Sequence, residues 1–273
     1  MIMGSLKPII RRFPWIKRSL WRIWYKYLSR KDADPSWTFM NFGFAETGQQ
    51  DSSLNLLPRD ERDRRSIQLY HRACRNVDLA GLDVLEVGCG RGGGLSFIVR
   101  YLNPHKAVGM DIAEGTIRLC QKFHPLRKLV FICADAERLP FRNNCFDTII
   151  SIESSHAYPS NERFLSEVCR VLRPGGYLVL ADVRRKSQLQ TLRSEIETSG
   201  LRLMTEEDVT PNVVSSMELD SDRKEALIER RVPKLLRSPF RRFAGTKASS
   251  IYRRLLTRES AYVCMMSQKD GRH

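Results

Sequence analysis

Long apolar stretches are missing from this 273-residue chain: no run approaches the ~20 uninterrupted apolar residues that cross a bilayer. The sequence therefore predicts a protein that does not span a membrane, and its amino terminus also lacks the apolar core and small-residue cleavage site of a secretory signal. Acidic residues are scarce, 31 Asp and Glu against 46 Lys and Arg, for a formal charge of +15. Such an excess favours phosphate-rich partners, either nucleic acid or an anionic membrane surface, and charge alone does not choose between them. The seven cysteines are odd in number, never spaced C-x-x-C and without histidines at metal-ligand spacing, so neither a disulfide framework nor a metal site is expected. A reducing, cytoplasmic setting follows. Cysteines within apolar runs, as in Val130-Phe131-Ile132-Cys133, read as small buried hydrophobes.

What is present divides the chain into three zones: residues 1–60, basic and aromatic; residues 61–184, an alternation of strands and helices; and residues 185–273, basic again, with further helices and the last strands. In the centre, β-rich runs at Asp83 to Val87, Ala107 to Asp111, Leu129 to Cys133, Phe146 to Ile152 and Tyr177 to Asp182 alternate with helical patterns. Further strands are expected near Leu201 to Met204 and Ala261 to Met265. The alternation predicts an α/β fold with a mostly parallel sheet and helices on both faces, its strands apolar because both faces are covered.

The segment Val84 to Gly94 is a strand entering a glycine-rich turn that opens a helix. Bare backbone lets a ligand come close, and the helix start offers free N–H groups. Gly88, Gly90 and Gly93 also satisfy the dinucleotide pattern G-x-G-x-x-G, so this turn does not by itself separate a nicotinamide enzyme from other nucleoside-cofactor enzymes. Asp111, closing the second strand, suits ribose hydroxyls, with a helix cap before Ala113 as the alternative.

Taken together, Glu86 to Gly94, Asp111, Ala134 to Phe141 and Val171 to Gly176 resemble the successive motifs of class I S-adenosylmethionine-dependent methyltransferases. The resemblance covers roughly residues 62 to 184 and implies a Rossmann-like, seven-stranded sheet with S-adenosyl-L-methionine as cofactor. It places Glu86, Gly88 and Gly90 at the methionine portion, Asp111 and Ile112 at the ribose, Asp135 and Ala136 at the adenine, and Ser151 to Glu153 on the pocket floor.

Beyond the fourth strand, Glu153 to Pro159 falls where residues of an open α/β sheet face the ligand crevice. An imidazole with a pKa near ~6.5 suits removal of an alcohol's proton, which makes His156 the candidate general base. A plain polar loop residue is the alternative. Asp182 ends the fifth strand and either orients the imidazole or substrate, or caps and pairs with Arg184. This pair resembles one in indolocarbazole sugar O-methyltransferases, and the chain most resembles the phthiotriol and phenolphthiotriol dimycocerosate methyltransferase group, through Gly92-Gly93-Gly94, Glu153 to Pro159 and Leu69 to Arg72. That group implies O-methylation of a lipid or lipophilic secondary metabolite. Carbon methylation of the sterol and tocopherol type, with Glu153 stabilising cationic charge, is the second reading. A nucleic-acid methyltransferase is disfavoured, because the fourth strand is not followed by Asn/Asp-Pro-Pro-aromatic or a Pro-Cys nucleophile.

At the ends, Pro14 to Arg30 reads as a basic amphipathic helix, with Ile16, Leu20, Ile23, Trp24, Tyr27 and Leu28 on one face and Arg18, Arg22, Lys26 and Arg30 on the other. It either rests peripherally on anionic lipid or packs on the catalytic domain. Thr38 to Phe44 is a candidate aromatic lid, or ordinary core. Thr205 to Arg231 is expected to be helical acceptor-side structure. The basic residues from Arg230 to Arg242 either grip headgroups or form a solvated helix face.

Overall fold

The computed structural model describes residues 37–46, 54–234 and 237–271. The amphipathic segment Pro14 to Arg30 lies outside them, as do Leu235 and Leu236.

Seven strands form one sheet: β1 (Asp83–Val87), β2 (Lys106–Asp111), β3 (Leu129–Cys133), β4 (Phe146–Ile152), β5 (Leu172–Arg185), β6 (Leu201–Asp208) and β7 (Ser260–Lys269), in the order β3-β2-β1-β4-β5-β7-β6. The first five run parallel, and β7 lies antiparallel to both β5 and β6. Around it are α1 (Arg64–Cys74), α2 (Gly93–Tyr101), α3 (Glu114–Phe123), α4 (Asn161–Val171), α5 (Lys186–Thr198), α6 (Thr210–Arg231), α7 (Arg237–Ala244) and α8 (Ser250–Leu256). This is a Rossmann-like fold.

Strand composition explains the layers. Val84, Leu85, Ile149, Ile150, Leu178 and Leu180 in the central strands are buried, each contributing about 1.5–3 kcal/mol relative to exposure. They divide into two apolar clusters, one on each side of the sheet. Polar caps set the helix starts: the Ser160 hydroxyl accepts from Arg163 N at 3.2 Å before α4, and Ser249 does the same for Tyr252 N before α8.

The structure departs from the sequence expectations in four places. Cys133 is exposed rather than buried, as is Val130, because β3 is the sheet's edge strand. Residues 205–208, expected in a helix, extend β6, and α6 begins only at Thr210. The fifth strand runs over Leu172–Arg185, longer at both ends than the expected Tyr177 to Asp182. Arg173 to Gly176 bulges within that strand: pairing with β4 jumps from Leu172 to Tyr177, with Gly175 at φ +79°.

The order reverses direction between β1 and β4. Both strands point their carboxyl ends at the same crevice, which is where open α/β sheets hold ligands.

Candidate active site

After β1 the chain turns through Gly88 at φ +78° and Gly90 at φ +51°, a left-handed backbone that side chains resist. Space demands glycine as well: a Cβ on Gly88 would lie 2.4 Å from the Ser154 Cβ, and one on Gly94 would lie 1.9 Å from the Tyr70 ring. Gly88 N and Cys89 N both donate to Met110 O, at 2.8 and 3.0 Å, tying the turn to the end of β2. Asp111 then fixes it. One carboxylate oxygen accepts from Gly90 N at 3.1 Å and the other from Ala113 N at 2.9 Å, so the side chain braces the turn and the start of the next segment together. Burial pushes its pKa up to about 6, against the hydrogen bonds from Ala113 and Gly90.

Glu86 is fully buried beneath the turn, and Tyr70 OH donates to its Oε1 at 2.6 Å. Burial raises its pKa to about 7, and Oε2 has no hydrogen-bond partner among the described residues. Asp135, half-buried beyond β3, accepts from Glu137 N at 3.0 Å in a tight turn, with Ala136 buried beside it. Ile112 is half-buried, and its carbonyl accepts from the Cys133 thiol at 3.6 Å. Ser151 is buried, its hydroxyl 2.7 Å from that of Ser154, which donates to Val87 O at 3.0 Å.

The aromatic segment is a strap laid across this end of the sheet. Gly93 N donates to Thr38 O at 3.2 Å, the Met40 methyl occupies the space a Gly90 Cβ would need, and Arg91 lies over the Trp37 ring at 4.7 Å. Further on, Phe42 N donates to Glu153 Oε1 at 2.8 Å, Ser216 on α6 donates to Phe42 O at 2.9 Å, and Phe44 N reaches Arg65 O at 2.9 Å. Glu153, at φ +50°, also accepts from Tyr262 OH at 3.0 Å. Burial raises its pKa to about 8 despite those two hydrogen bonds. At neutral pH it is largely a protonated carboxyl.

His156 follows on a short 3-10 turn, Ser155–Ala157, with its side chain 36% exposed. Its Nδ1 lies 2.7 Å from Asp182 Oδ1, and its main-chain N donates to Asp182 Oδ2 at 2.9 Å. Asp182 is fully buried inside β5, three residues short of the strand end. It also accepts from Ser155 Oγ at 2.7 Å and Val183 N at 2.7 Å, and pairs with Arg184 at 2.8 Å. Burial would raise its pKa, but the charges of His156 and Arg184 and the hydrogen bonds from His156 and Ser155 hold it far below the usual carboxylate range. An ionised Asp182 only accepts, so Nδ1 donates and the neutral imidazole carries its lone pair on Nε2. Asp182 contacts the imidazole and the Arg184 guanidinium together.

Three residues of this network carried no role in the sequence, Tyr70, Ser155 and Tyr262, and Arg184 entered only as an alternative partner of Asp182. Tyr70 sits within Leu69 to Arg72, whose pattern stood out, and Arg184 within Asp182-Val183-Arg184. Tyr262 reaches Glu153 only because β7 pairs antiparallel with β5, setting Tyr262 opposite Val183.

Bare glycines, a buried carboxylate oxygen without a partner and the braced Asp111 fit an adenosyl cofactor bearing an ammonium group and ribose hydroxyls. The family described as a methyltransferase domain matches residues 85–180. Over 253 residues, 93% of either chain, the sequence is 37% identical to the phthiotriol/phenolphthiotriol dimycocerosates methyltransferase of Mycobacterium tuberculosis. It is 34% identical over 242 residues to the fatty-acid O-methyltransferase of Mycolicibacterium smegmatis, covering 89% of this chain and 88% of that one. A geranyl diphosphate C-methyltransferase from Streptomyces coelicolor, solved with S-adenosyl-L-homocysteine, shares the fold at TM-score 0.62 and 15% identity, over 85% of this chain and 89% of that one. The chain belongs to the class I S-adenosylmethionine-dependent methyltransferases, in the group that contains the phthiotriol/phenolphthiotriol dimycocerosates methyltransferases. Its cofactor is S-adenosyl-L-methionine.

Proposed function

We propose that this enzyme O-methylates a hydroxyl of a lipid or lipophilic secondary metabolite, with His156 as general base. The observation that carries the reading is the 2.7 Å contact between His156 Nδ1 and buried Asp182, which sets the tautomer whose Nε2 takes a proton. S-adenosyl-L-methionine supplies an activated methyl group on a sulfonium. The turn at Gly88 and Gly90, with Glu86, would hold its methionine portion; Asp111 and Ile112 the ribose; Asp135 and Ala136 the adenine; and Ser151 the pocket floor. His156 would take the acceptor's hydroxyl proton onto Nε2. Asp182 orients the imidazole, and the strap from Trp37 to Glu46 excludes water.

Glu153 fits strap anchoring better than carbocation stabilisation, because a carboxyl with its pKa near 8 carries little charge at neutral pH. That weighs against carbon methylation. Relatives named for phthiotriol dimycocerosates and fatty acids favour a lipophilic acceptor over nucleic acid. Among the described residues no helix is long and apolar enough to cross a membrane. Exposed Arg230, Lys234 and Arg253 form no ion pair among these residues and support peripheral contact with anionic lipid from the cytoplasm.

The test is incubation of a cell lipid extract with the enzyme and methyl-labelled cofactor. A methyl ether is expected: label that resists alkali and is released as methyl iodide by hydriodic acid. Alkali-labile label would mean a carboxyl acceptor, and label resistant to both reagents would mean carbon methylation.

A further inference from the structure

Asp182 is fully buried, and a buried carboxylate touching an imidazole does more than orient it. Opposite charge at this range favours the imidazolium, raising a histidine's pKa by about 1–3. A base held as imidazolium at neutral pH cannot take a proton, so a strong unopposed partner would work against the reading of His156 as base.

The fold provides an opposing charge. Arg184, two residues along β5, is itself only 9% exposed, and its guanidinium lies 2.8 Å from Asp182 Oδ2. Its second nitrogen donates to Ser155 Oγ at 2.6 Å, and Ser155 Oγ donates to the same Asp182 Oδ2 at 2.7 Å. Arginine and serine thus draw on one carboxylate oxygen, while Oδ1 is left to His156 Nδ1 and Val183 N. Arg184 and the imidazole thus share one buried anion, the guanidinium on Oδ2 and His156 Nδ1 on Oδ1, so the arginine offsets the carboxylate charge that the imidazole meets.

Among the described residues, the other ionisable groups on the neighbouring elements contribute little net charge near neutrality. Glu153, at the end of β4, is largely protonated, and the Tyr158 and Tyr262 hydroxyls are pushed up by burial. Lys224 on α6 is paired with Asp220 at 3.4 Å.

We infer that Arg184 is a positioning residue that sets the basicity of His156, by neutralising Asp182 so that the carboxylate aligns the ring without locking it as imidazolium. The consequence for catalysis rests on the proposed role of His156; the consequence for its ionisation does not.

The test is a nuclear magnetic resonance titration of the full chain carrying ¹³C-labelled histidine, with the His156 signal identified by its loss in His156→Gln. Arg184→Gln keeps N–H donors and removes the charge. It is expected to raise the His156 pKa by about 1 or more, while Arg184→Lys stays near wild type. Methyl transfer to the lipid extract by Arg184→Gln should fall about threefold or more at pH 7 and recover by pH 9, because only the protonation of the base has changed. An unchanged His156 pKa in Arg184→Gln would overturn the inference, whatever happened to turnover. Should Arg184→Gln fail to fold, Asp182→Asn reads the same charge from the other side. With the guanidinium unopposed, His156 should drop by about 1 or more below the ordinary ~6.5, and a value at or above ~6.5 would overturn the inference.

Discussion

Asp111 on β2 and Gly90 in the turn after β1 are joined by a hydrogen bond of 3.1 Å from the glycine N–H to the buried carboxylate. The acid expected to hold a ribose is also part of the scaffold that gives the turn its shape. Asp111→Asn keeps one acceptor oxygen but must place an amide N–H against the N–H of Gly90 or Ala113. Affinity for S-adenosyl-L-homocysteine, read by calorimetry, should fall about tenfold or more, in line with the ~1.5–3 kcal/mol of a hydrogen bond to a charged group.

Gly94 and Tyr70 make a similar test of packing. A methyl group at residue 94 would enter the Tyr70 ring, which is held by its bond to Glu86. Gly94→Ala is expected to cost about 1–3 kcal/mol in denaturant unfolding, as overpacked core positions do. Tyr70→Phe relieves nothing at that site and leaves buried Glu86 without its donor, so it too should destabilise, by about 1–3 kcal/mol.

Stability should also depend on pH in a direction set by the buried carboxyls. The pKa values of Glu153, Glu86 and Asp111 are raised to about 8, 7 and 6 in the fold, from ordinary values of 4.5, 4.5 and 3.8. A raised carboxyl favours the fold below its unfolded pKa, and that contribution is lost as pH climbs through the folded value. Unfolding midpoints should therefore decline between about pH 5 and 8. Glu153→Gln should flatten the upper part of the decline; an equally steep curve would refute the protonation assigned to Glu153.

The strap offers a further expectation. Phe42 is fixed through its main-chain N to Glu153 and through its carbonyl to Ser216. Ser216→Ala removes one anchor at a distance from the imidazole. Hydrogen exchange at residues 41–45 should speed up about fivefold or more, as loss of a hydrogen bond worth ~1 kcal/mol gives, with cofactor affinity unchanged.

The first four strands and the glycine turn are legible in the sequence because their signals are local: apolar runs, glycines, and acids at strand ends. Polar Thr205 to Asp208 is extended only through pairing with β7, and its exposed side chains carry no strand-like apolar signal. Cys133 looks buried until its strand proves to be an edge. In the site, His156 and Asp182 are readable from their places after β4 and within β5. Tyr70 and Tyr262 are not, since their partners Glu86 and Glu153 stand 16 and 109 residues away and only the folded sheet brings them together.

The proposed role of His156, aligned by Asp182, is that of the base for methyl transfer. It is tested most directly by His156→Ala, measuring transfer of labelled methyl from S-adenosyl-L-methionine to the lipid extract alongside calorimetric cofactor binding. Unchanged binding and transfer reduced by about 10²-fold or more are expected. Turnover at the wild-type rate would contradict that role.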